Sequence, residues 1–215
     1  MSSLYIIRHG QASFAGESYD RLSDLGKRQS QILGEYFDHI GLKFDSFYSG
    51  SLRRQRETAE IVLGCMSGHK PEGLCSTEGL DEYDAEGIVI SQLPSMIEED
   101  PALSVDAQRM NERRSFQRIF EGAMKRWVSG RFQMEGMESW EGFSQRVRDS
   151  IIRIMGENGR RKKVAVFSSG GPIAATVQMA LGITNETAVR LNWQLRNTSV
   201  SEFKYNDKNV FLGSF

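Results

Sequence analysis

The chain has 215 residues, of which 39% are hydrophobic and 26% charged, with a formal net charge of −1. That length holds one core and is short for two full domains, and a near-neutral charge gives no general reason to expect nucleic acid or an anionic membrane as partner. No apolar stretch approaches the ~20 residues of a membrane span. The apolar run at residues 4–7 is too short for a signal peptide. Cys65 and Cys75 form no disulfide framework, and His9, His39 and His69 show no metal-ligand spacing. The expectation is a cytoplasmic protein with reduced thiols and no zinc site.

Leu4, Tyr5, Ile6 and Ile7 form a continuous apolar run, the pattern of a strand buried on both faces. Ser23 can cap a helix running to about Ile40, with Leu25, Ile32, Leu33, Tyr36, Phe37 and Ile40 on its apolar face. Phe47, Tyr48 and Ser49 read as the end of a second strand, and Ser51 as the cap of a helix through about Leu63. Residues 80–84 form a brief extended piece. Residues 87–135 are interrupted by Pro94 and Pro101 and made basic by Arg109, Arg113, Arg114 and Arg118, so a helical insertion over one end of the sheet is expected. Ser139 can cap a further helix carrying Phe143, Val147, Ile151 and Ile154. Residues 164–167 are the clearest central strand, followed by a helix from Pro172 to about Leu181. Residues 198–205 and 210–212 close the chain as a strand pair. Alternating strands and helices predict one α/β domain over residues 1–215. It should be a three-layer sandwich, with a mainly parallel central sheet, helices on both faces and the insertion at about 87–135.

In such sheets ligands bind beyond the carboxyl ends of the strands, where three loops with reactive or basic residues are expected. In the first, His9 can act as a nucleophile in its neutral form. Arg8 can grip phosphate oxygens bidentately, and Gly10 allows close backbone approach. In the second, residues 49–59 place Arg53, Arg54 and Arg56 in the first turn of a helix whose N-terminus favours anions. In the third, Ser168, Ser169, Gly170 and Gly171 offer hydroxyls and N–H groups as an anion cradle. It is neither a Walker A loop nor a nucleophile elbow. An acid is also needed to protonate a leaving oxygen. Asp81, Glu82 and Asp84 are equal candidates on residue type alone.

Together these motifs resemble the histidine phosphatase superfamily, the phosphoglycerate-mutase-like fold, over nearly the whole chain. The matching segments are residues 4–10, residues 22–26 with Gln29, residues 49–59, residues 80–82, residues 136–139 with Arg146, and residues 197–200. The resemblance implies that His9 forms a phosphohistidine, that Arg8 and Arg54 hold the phosphoryl oxygens, and that Glu82 protonates the leaving group and then activates water. It also implies a small phosphorylated substrate, bound with help from Ser169 and Gly170, and no metal or organic cofactor. One departure matters. The family's second histidine, just after the central strand, aligns with Ser169. Losing its charge-assisted hydrogen bond costs roughly 1.5–3 kcal/mol, or about 10- to 100-fold in rate. Gln11 and Ala15 replace residues typical of mutases. The expected activity is therefore a phosphomonoesterase, slow without the second histidine. Beside it stand a pseudoenzyme that binds a phosphorylated ligand, a phosphoglycerate mutase, and a serine hydrolase built on Ser169, which lacks a histidine base. The basic run at residues 160–163 is read as a solvated turn.

Overall fold

A computed structural model describes residues 1–13, 20–68, 73–132 and 135–215. Ala15 and His69 therefore lie outside the described residues. Six strands form one sheet in the order β3-β2-β4-β1-β5-β6. They are β1 (Ser2–Arg8), β2 (Ser46–Ser49), β3 (Leu74–Ser76), β4 (Lys163–Ser168), β5 (Val200–Tyr205) and β6 (Val210–Ser214). Strands β1 to β4 run parallel. Strand β5 is antiparallel to β1, and β6 to β5.

Strands β1 and β4 are apolar along their central residues, 4–7 and 164–167, because both of their faces are covered there. Leu4, Ile6, Val164 and Val166 pack into one hydrophobic cluster, while Ile7, Ala165 and Phe167 pack into a second on the opposite face. The second cluster lies under α1 (Asp24–His39) and α2 (Arg53–Gly64). The first, larger cluster lies under α3 (Ala85–Glu99), α5 (Arg113–Val128), α6 (Trp140–Asn158), α7 (Gly170–Leu181) and α8 (Asn185–Asn192), with the short α4 (Leu103–Ala107) beside α5. This is the three-layer α/β sandwich expected from alternating elements.

Helix α1 buries a different stripe from the one its hydrophobicity suggests. Gly26, Ser30, Gly34 and Phe37 face inward, whereas Leu25, Ile32, Tyr36 and Ile40 are about half exposed. The reason is proximity. A Cβ on Gly34 would stand 2.5 Å from the Val62 carbonyl oxygen, and one on Gly26 2.1 Å from that of Gln11. Only small residues let α1 lie this close to α2 and to the loop after β1.

Other boundaries shift for similar local reasons. Pro94 does not break its segment but sits inside α3. It and Ile90, whose carbonyl it leaves without a donor, are both exposed, so water can satisfy that group. Ser51 does not cap α2. Leu52 occupies that position, and the helix start is bound by Asp20 and Asp81 from outside. The extended piece expected at residues 80–84 begins one residue later: Leu80 closes a 3-10 turn over Glu78–Leu80, and the backbone turns extended at Asp81. Helix α7 begins at Gly170, so Pro172 is its third residue, still in the first turn. Helix α8 and strand β3 were not anticipated. Arg118 pairs with Asp100 and Asp106 at the surface, and Arg109, Arg113 and Arg114 are exposed. In the basic run, Arg160 pairs with Asp207 and Lys162 with Asp45.

Candidate active site

Because β2, β4 and β1 are adjacent and parallel, the three loops singled out in the sequence leave the same edge of the sheet side by side. Backbone bonds hold them there. The His9 N–H donates to the Ser168 carbonyl at 2.9 Å and the Gly50 N–H to the Phe167 carbonyl at 3.0 Å.

His9 is 7% exposed. Its Nδ1 lies 2.6 Å from the Gly10 carbonyl oxygen, and Arg54 Nε donates to its Nε2 at 3.3 Å. A carbonyl can only accept, so Nδ1 carries the proton and Nε2 presents a lone pair. Burial pushes the pKa of His9 down to about 3, and the Arg54 and Arg8 charges add to the fall. The ring is therefore neutral at physiological pH. Its backbone is fixed from the far side. Asn197 Nδ2 donates to the His9 carbonyl at 3.1 Å, and the Thr198 N–H to that of Arg8 at 3.0 Å. Thr198 takes a positive φ of 58° to do so, an uncommon conformation for a residue with a branched Cβ. Gly10 must be glycine, since a Cβ there would stand 2.4 Å from the Gly26 carbonyl oxygen.

Arg54 is buried and reaches His9 from the first turn of α2, while its Nη1 pairs with Asp20 at 2.9 Å. Arg53 points elsewhere, to Glu57 at 2.8 Å. Arg8 donates to the Leu195 carbonyl through Nη1, and its buried Nε has no partner among the described residues. Two guanidinium groups thus flank one neutral imidazole, which suits an incoming anion.

Geometry also separates the three acids. Asp81 is committed to the turn before α2, accepting from the Ser51 N–H at 2.6 Å and the Leu52 N–H at 3.3 Å. Asp84 caps α3 through the Gly87 N–H at 2.9 Å. Glu82 instead turns to the start of α7, where it accepts from the Gly171 N–H at 3.0 Å. Burial raises its pKa, against the pull of that N–H and of the Arg54 and Arg8 charges. A carboxyl group whose hold on its proton is strengthened by burial, near two cations, is a candidate proton donor.

The loop at residues 168–171 is less open to anions than its composition suggests. Ser168 Oγ donates to the Leu80 carbonyl at 2.6 Å. Ser169 Oγ, fully buried, accepts from Gln55 Nε2 at 2.8 Å. Much of the loop therefore holds the segment that carries Glu82. Gly170 remains at the helix start, where a Cβ would stand 1.9 Å from Asn192 Oδ1. Arg146 ties the same segment down from α6, pairing with Glu138 at 2.8 Å and donating to the Glu78 carbonyl at 2.8 Å.

Sequence reasoning missed Asp20, Gln55, Thr58 and Asn192. Gln55 is fully buried and bridges the Ser169 hydroxyl and the Leu80 carbonyl. Thr58 Oγ1 accepts from the Gly10 N–H at 3.0 Å. Asn192 donates to the Tyr83 hydroxyl at 2.9 Å. The signal for Gln55 and Thr58 was their spacing from Arg54, one and four residues on, beside its pocket. Asp20 and Asn192 carried none. Neither His39 nor any cluster of metal-ligating side chains joins this site among the described residues.

The profile of the histidine phosphatase superfamily (branch 1) matches residues 4–214. The chain belongs to this superfamily of phosphatases and mutases. Sequence relatives include the mitochondrial serine/threonine-protein phosphatase Pgam5 of Drosophila yakuba, 31% identical over 62 residues, and that of Caenorhabditis briggsae, 31% identical over 74. These matches cover 28% and 34% of this chain and only 22% and 26% of the relatives. Similar solved structures include a mutant phosphoserine phosphatase of Entamoeba histolytica in complex with phosphoserine (TM-score 0.66, 19% identity, covering 100% of this chain and 96% of that one). Phosphoglycerate mutase of Bacillus anthracis gives 0.65 at 20% identity, covering 100% and 92%. YhfR of Bacillus stearothermophilus gives 0.69 at 15%, covering 100% and 96%. At these identities the likeness establishes the shared fold. No helix among the described residues is long and apolar enough to cross a membrane.

Proposed function

We propose that this member of the superfamily is a phosphatase that hydrolyses a small phosphate monoester through a phosphohistidine on His9. One observation carries the reading. The His9 tautomer is fixed by the Gly10 carbonyl so that the ring's lone pair lies on Nε2, where it accepts from Arg54 Nε at 3.3 Å. In the first step Nε2 attacks phosphorus and the P–O bond to the alcohol breaks. Glu82 gives its proton to the departing oxygen. Nδ1–H stays on the Gly10 carbonyl and supports the positive charge that the ring acquires. In the second step water loses a proton to Glu82 and attacks phosphorus, and the P–N bond breaks. Arg8 and Arg54 hold the phosphoryl oxygens in both steps. The Gly170 N–H and the Ser169 hydroxyl proton are further donors for them.

In this reading Ser169 stands where relatives place a second histidine, and turnover is slow for want of its charge. A second reading, a binder of phosphorylated ligands without turnover, is favoured by the engagement of Ser169 Oγ with Gln55. The same contact disfavours a serine nucleophile, because an amide is no base. A mutase is less favoured, since transfer between two hydroxyls needs a long-lived phosphohistidine. The test is steady-state hydrolysis of an aryl phosphate, together with acid-quench detection of a phosphorylated protein. His9→Ala should abolish both signals. Equal rates in the two proteins would refute the phosphatase, and ester binding without turnover in the wild type would establish the binder.

A further inference from the structure

Because α1 packs inward through Gly26, Ser30, Gly34 and Phe37, its large apolar side chains are left on one flank. Leu25, Ile32, Tyr36 and Ile40 follow one another from the second residue of the helix to its C-cap. Their spacing aligns them along one face over about 20 Å. They are 54%, 51%, 55% and 50% exposed. A surface helix ordinarily turns polar residues to water. Here a few hundred Å² of apolar side chain is exposed as one stripe, the size at which a patch marks an interaction site.

One edge of the stripe is charged. Arg28 and Glu35 lie on it seven residues apart, with Asp24 and His39 one turn beyond them at either end. Arg28 reaches Glu35 only at 3.8 Å, with 60% and 61% of the two side chains exposed, and such surface pairs contribute little. The opposite edge carries Gln29 and Leu33 and no charge. Arg28 and Glu35 are therefore opposite in sign and placed almost evenly about Ile32. Turning the helix end for end sets each on its complement. A two-fold axis perpendicular to the helix does this, and it keeps the charged edge of one copy facing that of the other. Ile32 then meets its own copy, and Leu25 lies opposite Ile40 of the partner subunit. Arg28 falls beside Glu35 of the partner subunit, and Asp24 beside His39 of the partner subunit. A parallel pairing would turn the charged edge toward the uncharged one. A partner of a single charge sign would meet a like charge at Arg28 or at Glu35.

We infer that α1 is the interface of a symmetric homodimer, in which two copies of this stripe pack antiparallel about a two-fold axis at Ile32. A stable interface buries about 800 Å² per partner, of which the stripe supplies about half and its polar rim the rest. The dimer is accordingly a reversible one. The inference does not depend on the reaction proposed above.

Sedimentation velocity of the full chain from about 2 to 200 µM should show a monomer–dimer equilibrium with Kd on the order of 10 µM. Ile32→Glu places two carboxylates on the axis and should leave the chain monomeric throughout. Arg28→Glu and Glu35→Arg, each alone, oppose like charges twice per dimer and should each weaken association about tenfold. An equimolar mixture of these two variants restores opposite charges across the axis and should associate as the wild type does. The inference is overturned by a monomer at every wild-type concentration, by a dimer that Ile32→Glu leaves intact, by unchanged affinity in either charge variant, or by a mixture that associates no better than its components. All three positions are exposed, and the mixture tests the register with no apolar side chain altered.

Discussion

Burying a neutral histidine ties the stability of this fold to pH in a way that one substitution can isolate. The folded pKa of His9 is about 3, whereas in the unfolded chain it returns to its ordinary value of 6.5. Between these values the unfolded state binds the extra proton, so stability rises with pH through that window and falls as pH is lowered. At pH 7 the difference is negligible. At pH 5 the unfolded imidazole is almost fully protonated and the folded one is not. The ratio of proton-binding polynomials then gives about 2 kcal/mol lost relative to pH 7. His9→Asn removes this loss and keeps a polar group of similar reach. Urea unfolding at pH 7 and pH 5 measures it. The midpoint of the wild type should fall by about 1 M more than that of the variant. Glu82 has a raised pKa and contributes in the opposite direction, but it does so in both proteins and cancels in the comparison. Parallel midpoint shifts would refute the claim that His9 is neutral in the folded state.

Three further outcomes follow from the site. Because Glu82 must be protonated to act and its pKa is raised, kcat/KM should fall as pH rises through that pKa; Glu82→Gln should lower the rate by about 10²–10⁴ and abolish this limb of the pH–rate profile. Ser169→His should raise kcat about 10- to 100-fold in a screen of phosphorylated metabolites, if an absent charged donor limits the rate. Asp20→Asn should lower the inhibition constant of inorganic phosphate about 2- to 5-fold, because the carboxylate no longer competes for Arg54.

The elements legible in the sequence were those with long, one-sided patterns. Strands β1 and β4 showed as continuous apolar runs, and Ser23 and Ser139 marked their helices because each side chain does accept from a backbone N–H. The three site loops were legible because strand ends and glycines mark them. Strand β3 was not, since three residues give no periodicity. The buried stripe of α1 was misjudged because close helix packing selects Gly26 and Gly34 by size, whereas an apolar pattern selects by hydrophobicity. Composition also left Asp81, Glu82 and Asp84 equivalent. Their roles separate only once the backbone donors around them are placed.

That separation shows how the fold assembles an acid from ordinary parts. Asp81 is spent on the N–H groups that precede α2, and Asp84 on the start of α3. Those two bonds fix the chain on either side of Glu82, and Arg146 holds the carbonyls of Glu78 and Asp81 from a third direction. Glu82 is left to meet α7, whose N–H group favours the ionised carboxylate, as do Arg8 and Arg54. Burial nevertheless prevails and raises its pKa. The same burial, acting on a base, keeps His9 neutral. Low solvent access therefore shifts the two groups in opposite directions. The acid holds its proton more strongly and the imidazole gives one up more readily, which is the pairing that the proposed phosphoryl transfer to nitrogen requires. The charges of Arg8 and Arg54 act on both groups in the same direction. They oppose the proton on both groups, and they supply the positive field that would draw the proposed phosphate ester toward a histidine with little solvent access.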